Sequence, residues 1–142
     1  MDERMVYTVS AQAHYDAAHF LRNYDGKCAQ LHGHRYVVEV AVQSEELDES
    51  GIAFDFVDLK AHLRDLAGML DHQNLNDLAP FREVETSAEN QAAWFYRELK
   101  ARLPEKLAGG LLYARVWETP TNWAQYGPAH APLPASRTFP VD

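Results

Sequence analysis

The most reactive side chains of this sequence are concentrated between residues 28 and 34, in the segment Cys-Ala-Gln-Leu-His-Gly-His. On an extended backbone, His32 and His34 project to the same side, because successive side chains alternate between the two faces of a strand. A third imidazole, His19, lies near the end of the preceding predicted strand and joins this pair if the two strands form a hairpin. Three histidines with one open position are typical of a catalytic zinc site. The alternative is a set of surface imidazoles that hold no metal.

Cys28 is the only cysteine of the chain, which excludes an internal disulfide and a cysteine-based zinc finger. Its thiol is the fourth ligand of a closed metal site, a reactive thiolate beside an open one, or an inert buried group. Asp71 and His72 are adjacent, directly after a predicted helix. A carboxylate can fix the tautomer of a neighbouring imidazole, which can then activate a thiol. The alternative is that His72 interacts only with the dipole of that helix.

A single carboxylate, Glu118, is predicted to face the interior of the protein. Strand alternation places it on the same face as Ala114 and Val116, which is the buried face. A buried carboxylate without a partner is costly. A ligand that presents two parallel N–H donors would satisfy it, and an internal Arg115 or Arg97 is the structural alternative.

Hydrophobic patterning predicts the elements that position these residues. Period-two alternation indicates strands, and apolar residues three and four apart indicate amphipathic helices. Asp55 is the predicted N-cap of the first helix, and Thr86 with Glu89 forms a predicted capping box before the second. The predicted strands are residues 6–15, 36–42, 111–118 and 122–126, and the predicted helices are residues 55–70 and about 88–102.

The order ββααββ predicts an α+β fold, a four-stranded antiparallel sheet with two helices on one face. Residues 1–126 form the predicted single domain. Residues 127–142, which hold four of the seven prolines, form a predicted Pro-rich C-terminal tail. An open sheet exposes two edges, so oligomers formed through strand edges are plausible.

Composition excludes several classes of protein. A chain of 142 residues with a net charge of −8 fits one acidic domain and is a poor general binder of nucleic acid. No segment approaches the roughly 18 uninterrupted apolar residues of a membrane span. The first residues lack a charged start followed by an apolar run, so a secretory signal is not expected. We therefore expect a cytoplasmic protein that contacts neither nucleic acid nor membrane.

Together these segments resemble the 6-pyruvoyltetrahydropterin synthase family. Six motifs occur in the family's order and cover most of the chain from residue 17 to residue 119. The matching segments are Ala17-Ala18-His19, Cys28-x3-His32-Gly33-His34-x-Tyr36, Phe54-Asp55-Phe56-x-Asp58-Leu59-Lys60, Leu70-Asp71-His72-x-x-Leu75-Asn76, Glu89-Asn90-x-Ala92 and Glu118-Thr119.

The resemblance implies the T-fold, whose subunits join sheet edges into a barrel, commonly as trimers paired into a homohexamer with active sites at subunit interfaces. It also implies a role for each matching residue. His19, His32 and His34 match the zinc ligands, Cys28, Asp71 and His72 match the catalytic triad, Glu118 matches the pterin anchor, and Ser87 and Glu89 match the pterin-proximal helix start.

The spacing Cys-x3-His-Gly-His resembles the family branch that acts in queuosine biosynthesis. That branch is a zinc-dependent lyase, which converts 7,8-dihydroneopterin triphosphate to 6-carboxy-5,6,7,8-tetrahydropterin and releases acetaldehyde and triphosphate. The alternatives are 6-pyruvoyltetrahydropterin synthase, which stops after triphosphate elimination, and a non-catalytic protein that binds zinc or pterin. Arg22, Lys27 and Arg35 are candidate triphosphate ligands by their proximity to the histidines.

Overall fold

A five-stranded sheet with helices packed on one face forms the fold in a computed structural model, which describes residues 4–134. The strands lie in the order β3-β1-β2-β4-β5, and all neighbours are antiparallel except β3, which is parallel to β1. The elements are β1 (Tyr7–His19), β2 (His32–Ser44), α1 (Phe56–Leu70), β3 (Gln73–Asn74), α2 (Ala88–Arg102), α3 (Glu105–Ala108), β4 (Leu111–Thr119) and β5 (Asn122–Tyr126).

The predicted α+β class is confirmed, and the four predicted strands and two predicted helices are all present. The predicted count of four strands was wrong by one, because the two-residue β3 is too short to show any periodicity. The first strand also continues four residues beyond its predicted end at residue 15. Pairing with β2 extends β1 to His19, although the segment Asp-Ala-Ala has little strand propensity of its own.

The core lies between the sheet and the two long helices. In α1, leucines three and four residues apart turn one stripe toward the sheet, and Phe95 and Leu99 do the same in α2. They pack against the inner face of the central strands, where Tyr15 and Tyr36 are fully buried. The same inner face carries the candidate site residues of β1 and β2, so the core fixes their orientation.

The helix caps test the predicted start of each long helix. Asp55 is the N-cap of α1, as predicted, because its carboxylate accepts a hydrogen bond of 2.8 Å from the Val57 N–H. The predicted capping box at Thr86 was wrong. Ser87 is the N-cap of α2 and accepts from the Asn90 N–H, while the Thr86 hydroxyl is buried and donates to the Phe20 carbonyl.

The outer face of the sheet is partly covered by the chain after β5. Ala131 packs against Leu112 and Tyr113, and the Pro132 carbonyl accepts a hydrogen bond from the Arg115 guanidinium. The rest of the predicted tail, residues 135–142, lies outside the described residues, and the domain boundary at residue 126 stays a prediction. None of the described helices has the length and apolar character needed to cross a membrane.

Candidate metal centre and active site

The pairing of β1 with β2 brings three histidines together at one end of the sheet. His19 lies opposite His32, and His34 lies opposite Ala17, so all three side chains share the inner face. Their ring centroids are 4.6 to 5.4 Å apart. One nitrogen from each ring lies within 4.8 Å of the other two. This spacing allows a single ion to contact all three imidazoles.

The hydrogen bonds of the rings indicate which nitrogens face the candidate metal. The Nδ1 atoms of His19 and His32 lie 2.8 and 2.6 Å from the carbonyl oxygens of Thr86 and Gln30. Because a carbonyl only accepts, each Nδ1 carries the proton and each Nε2 keeps its lone pair. The Nε2 atoms of His19 and His34 are buried without a hydrogen-bond partner among the described residues. The residues present therefore fit a metal ion.

Electrostatics also favours the neutral imidazoles that a metal requires. Burial lowers the pKa of His19 and of His34 below the ordinary histidine value, because a charged ring would lose its hydration. Neutral nitrogen ligands in a three-histidine arrangement are a preferred environment for zinc. The arrangement also leaves a coordination position for another ligand.

A polar network behind His19 holds its ring in place. The Thr86 carbonyl accepts from both His19 and the Gln91 amide, and the Gln91 carbonyl oxygen accepts from the Tyr15 hydroxyl at 2.7 Å. The Tyr36 hydroxyl is buried in the same region, and burial raises the pKa of its phenol. None of these residues was predicted from the sequence as a site residue. The one available signal was a glutamine on the apolar face of α2, since Gln91 is fully buried.

Asp71 and His72 form a hydrogen-bonded pair at the end of α1. The His72 Nδ1 lies 2.8 Å from one Asp71 carboxylate oxygen, and the Asp16 N–H donates to the other at 2.8 Å. The Asp16 hydrogen bond, with that of His72, lowers the pKa of the Asp71 carboxyl. With Nδ1 protonated against Asp71, the His72 Nε2 is free to accept a proton. Its side chain is 79% exposed.

Cys28 lies in a short 3-10 turn, Lys27–Ala29, and is half-buried. Its carbonyl accepts a hydrogen bond from the Leu21 N–H, which closes the loop between β1 and β2. Within residues 4–134 of one chain, no hydrogen bond joins the thiol to Asp71 or His72. The structure thus forms two members of the predicted triad as a pair and leaves Cys28 apart from them.

Glu118 projects from β4 toward the histidines, and its carboxylate lies 3.6 Å from the His34 Nε2. It shares a cavity of about 430 Å³ with Glu89. The structural alternative of an arginine partner fails, because Arg115 pairs with Glu39 on the outer face and Arg97 contacts Tyr126. Of the other predicted substrate contacts, the Ser87 hydroxyl caps α2 beside this cavity.

Two of the three candidate triphosphate ligands are already engaged. The Arg22 guanidinium donates to the carbonyl oxygens of residues 76, 81 and 84 and so braces the connection between α1 and α2. Arg35 makes a two-pronged ion pair with Asp16, with distances of 2.9 and 3.0 Å. Lys27 forms no ion pair among the described residues.

Comparisons with known proteins define the class of protein to which this fold and site belong. The sequence model of the family described as 6-pyruvoyl tetrahydropterin synthase matches residues 8–129. The solved structure of Caenorhabditis elegans 6-pyruvoyl tetrahydropterin synthase superposes with a TM-score of 0.79 at 27% identity, covering 91% of this chain and all of that one. The Plasmodium falciparum 6-pyruvoyl tetrahydropterin synthase, at 21% identity and a TM-score of 0.69, covers 85% of this chain and 96% of its own and shares the fold. The predicted T-fold is confirmed.

Curated relatives lie within the same family. A Synechocystis protein named 6-carboxy-5,6,7,8-tetrahydropterin synthase is 39% identical over 125 residues, covering 84% of this chain and 92% of its own. A Haemophilus influenzae protein of the same name is 31% identical over 144 residues, covering 85% and 99%. The chain belongs to the 6-pyruvoyl tetrahydropterin synthase family, as the sequence motifs predicted.

Proposed function

We propose that this protein is a zinc-dependent lyase that converts 7,8-dihydroneopterin triphosphate to 6-carboxy-5,6,7,8-tetrahydropterin, releasing acetaldehyde and triphosphate. The proposal places it in the cytoplasm, in queuosine biosynthesis. The observation that carries it is the convergence of three histidine nitrogens within 4.8 Å of one another, with the Glu118 carboxylate 3.6 Å from one of those rings. The names of the Synechocystis and Haemophilus relatives support this choice of product.

Glu118 binds and orients the pterin in this proposal. A carboxylate has two oxygens that accept two parallel N–H bonds, which matches the amino group and ring N–H of a pterin. Its position supports this role, because the side chain lines the 430 Å³ cavity and pairs with no arginine or lysine within residues 4–134. Glu89 borders the same cavity, and Ser87 holds the helix start beside it.

His19, His32 and His34 hold zinc in this proposal. When bound, zinc supplies Lewis-acid chemistry that acidifies a C–H bond beside a coordinated hydroxyl. The Thr86 and Gln30 carbonyls orient two of the rings by accepting their Nδ1 protons. The half-buried Cys28 would supply a thiolate to the substrate as general base.

Asp71 and His72 activate Cys28 in the proposed mechanism. Asp71 fixes the His72 tautomer so that its Nε2 accepts the thiol proton. Within one chain, no hydrogen bond joins Cys28 to this pair. We therefore propose that a second copy of the chain supplies the Asp71–His72 pair to Cys28, in a homohexamer of two trimers with active sites at subunit interfaces. The exposure of the His72 side chain, 79%, supports an approach from another subunit.

The deciding experiment is an assay of zinc-loaded protein with 7,8-dihydroneopterin triphosphate, in which mass spectrometry identifies every pterin product. We expect 6-carboxytetrahydropterin together with acetaldehyde and triphosphate. His34→Gln, which removes a proposed zinc ligand, should abolish product formation, and His130→Gln, which removes an exposed imidazole after β5, is its control. A 6-pyruvoyl product would instead indicate a 6-pyruvoyltetrahydropterin synthase, which stops after triphosphate elimination. No release of triphosphate would favour the non-catalytic alternative.

A further inference from the structure

Gln91 is a fully buried glutamine on the face of α2 that packs against the sheet. The other buried residues of this helix are all apolar. Burying an amide among them is costly unless its hydrogen bonds are satisfied. Its partners are the Tyr15 hydroxyl and the Thr86 carbonyl, and the same carbonyl accepts a hydrogen bond from His19. The amide therefore connects the core to one of the proposed metal ligands.

The direction of each hydrogen bond around Gln91 is fixed by chemistry. The Thr86 carbonyl only accepts, so the amide nitrogen of Gln91 must lie toward it, at 2.9 Å. The amide oxygen then faces the Tyr15 hydroxyl at 2.7 Å and accepts its proton. Burial raises the pKa of the Tyr15 phenol well above its ordinary value, so the hydroxyl keeps that proton. The reversed amide would place two acceptor oxygens against each other.

The Thr86 carbonyl receives two hydrogen bonds, from the Gln91 amide at 2.9 Å and from the His19 Nδ1 at 2.8 Å. A carbonyl oxygen has two lone pairs, so it accepts both at once. The side chain of Thr86 is fixed as well, because its hydroxyl donates to the Phe20 carbonyl. Gln91 thus limits the movement of the acceptor that sets the tautomer and the orientation of the His19 ring.

His19 depends on this carbonyl because it has no second polar contact to fix its tautomer. The ring is 2% exposed, and its Nε2 has no hydrogen-bond partner among residues 4–134. His32 also donates to a carbonyl, that of Gln30, but this acceptor lies two residues away on an exposed loop. Of these two ring contacts, the one at His19 has a buried side chain supporting the carbonyl.

We propose that Gln91 is a positioning residue of the metal centre and that Tyr15 acts through it. The inference rests on the proposed function, because it concerns the zinc site of the proposed lyase. Groups that orient a metal-binding imidazole change the metal affinity by about 10- to 100-fold when they are lost. Here the orienting group is a backbone carbonyl, which no side-chain substitution removes. Gln91 is therefore the position at which the sequence can adjust how His19 binds the ion.

The test is the zinc affinity of the purified full-length protein, measured by competition with a chromophoric chelator. Gln91→Met keeps the length of the side chain and removes the amide, and it should raise the Kd for zinc at least about tenfold. Cobalt-substituted protein gives a second measurement, because the visible absorption of Co²⁺ depends on the geometry of its ligands. We expect the Co²⁺ bands to shift in Gln91→Met. A lower Tm of the zinc-free variant with unchanged Kd and bands would show a merely structural role and would overturn the proposal.

Tyr15→Phe tests the other end of the network, since it removes only the hydroxyl and keeps the ring that stacks on Tyr36. It should weaken zinc binding by a smaller factor, because the amide keeps its bond to Thr86. The double variant Tyr15→Phe/Gln91→Met should bind zinc no more weakly than Gln91→Met. Additive losses would overturn the dependence of Tyr15 on Gln91. If Gln91→Met does not fold, Tyr15→Phe decides alone, and an unchanged Kd overturns the proposal.

Gln125→Met is the matched control. The Gln125 side-chain oxygen accepts from Arg115 and its amide donates to the Pro132 carbonyl, on the outer face of the sheet. The same substitution therefore removes the same pair of hydrogen bonds on the face opposite the histidines. We expect its zinc Kd to equal that of the wild type. Equal weakening in Gln91→Met and Gln125→Met would show a general effect of losing an amide and would overturn the proposal.

Zinc binding and turnover separate this inference from the proposed function. If wild-type protein binds zinc with an affinity that depends on Gln91 but forms no pterin product, the positioning role stands and the lyase proposal fails. If product forms and Gln91→Met has an unchanged zinc Kd, the lyase proposal stands and the positioning role fails. Wild-type protein that binds no zinc would overturn both.

Discussion

The backbone at His72 gives the sharpest test of the geometry around the Asp71–His72 pair. Among residues 4–134, His72 is the only residue other than glycine with a positive φ, at 59°. This left-handed turn redirects the chain from the end of α1 into β3, and the His72 N–H donates to the Asp16 carbonyl at 2.6 Å. A residue with a Cβ is about 1–2 kcal/mol less stable in this conformation. The structure therefore holds the imidazole at a strained position.

We predict that His72→Gly is more stable than His72→Ala. Glycine removes the strain but increases the entropy of the unfolded chain, which costs about 0.4–1 kcal/mol. The balance favours glycine by about 1 kcal/mol, or about 4 °C in Tm for a chain of this size. Thermal and urea denaturation of both variants measure the difference. Both should also lose activity to a similar extent, since both remove the imidazole.

A matched pair at His62 serves as the control, because this histidine lies in the middle of α1. There glycine should be less stable than alanine by about 1 kcal/mol, the ordinary order in a helix. The reversal between the two positions isolates the effect of φ from the effect of losing a histidine. If His72→Ala melts at or above His72→Gly, the left-handed turn is not under strain and our reasoning is wrong.

Three further predictions concern the thiol, the outer face and the histidine cluster. Cys28→Ala should lower turnover at least about 10²-fold with zinc retained, as measured by product formation and metal analysis; loss of zinc would make Cys28 a ligand. Arg115→Leu should lower the free energy of unfolding by about 3 kcal/mol, because Arg115 is 2% exposed and its loss leaves the Glu39 carboxylate without its ion-pair partner. Urea denaturation of Glu39→Gln/Arg115→Leu should show partial recovery of this stability, and no recovery would refute the pairing. The free energy of unfolding of zinc-free protein should reach its full value above about pH 6.5 and fall as the pH is lowered below it. The loss should be up to about 1.4 kcal/mol per pH unit for each of His19 and His34, because the unfolded chain binds protons that the folded chain does not. Urea midpoints at pH 7 and 5.5 measure this, and an equal slope in His19→Gln/His34→Gln would contradict it.

Local sequence signals were sufficient for the main elements and for the histidine cluster. Periodicity located both long helices and four of the strands, since burial of one face imposes its period on the residues. The His-Gly-His alternation, combined with a hairpin, brought His19 to the other two rings. Alternation also predicted that Glu118 lies on the inner face, where the structure places its carboxylate 3.6 Å from the His34 Nε2. These features depend on neighbours in sequence or on one strand pairing.

The features that the sequence did not predict depend on contacts between distant segments. Thr86 and Ser87 are both suitable N-caps, and only the long-range contact of Thr86 with the Phe20 carbonyl decides between them. Arg22 was a reasonable phosphate ligand until the structure placed it against carbonyls 54 to 62 residues away.

The short strand β3 has a consequence for any assembly of this sheet. The Asp16 amide and carbonyl are both used by the turn that precedes β3, and β3 then covers Ala17 and Ala18. An incoming strand can hydrogen-bond to β1 only before Asp16. Because pairing must end before Asp16, the incoming strand has only a limited number of possible registers on β1. A shift of one residue would exchange the inner and outer faces of the added strand. The two residues of β3 thus limit the register in which a strand of a second copy can pair with β1.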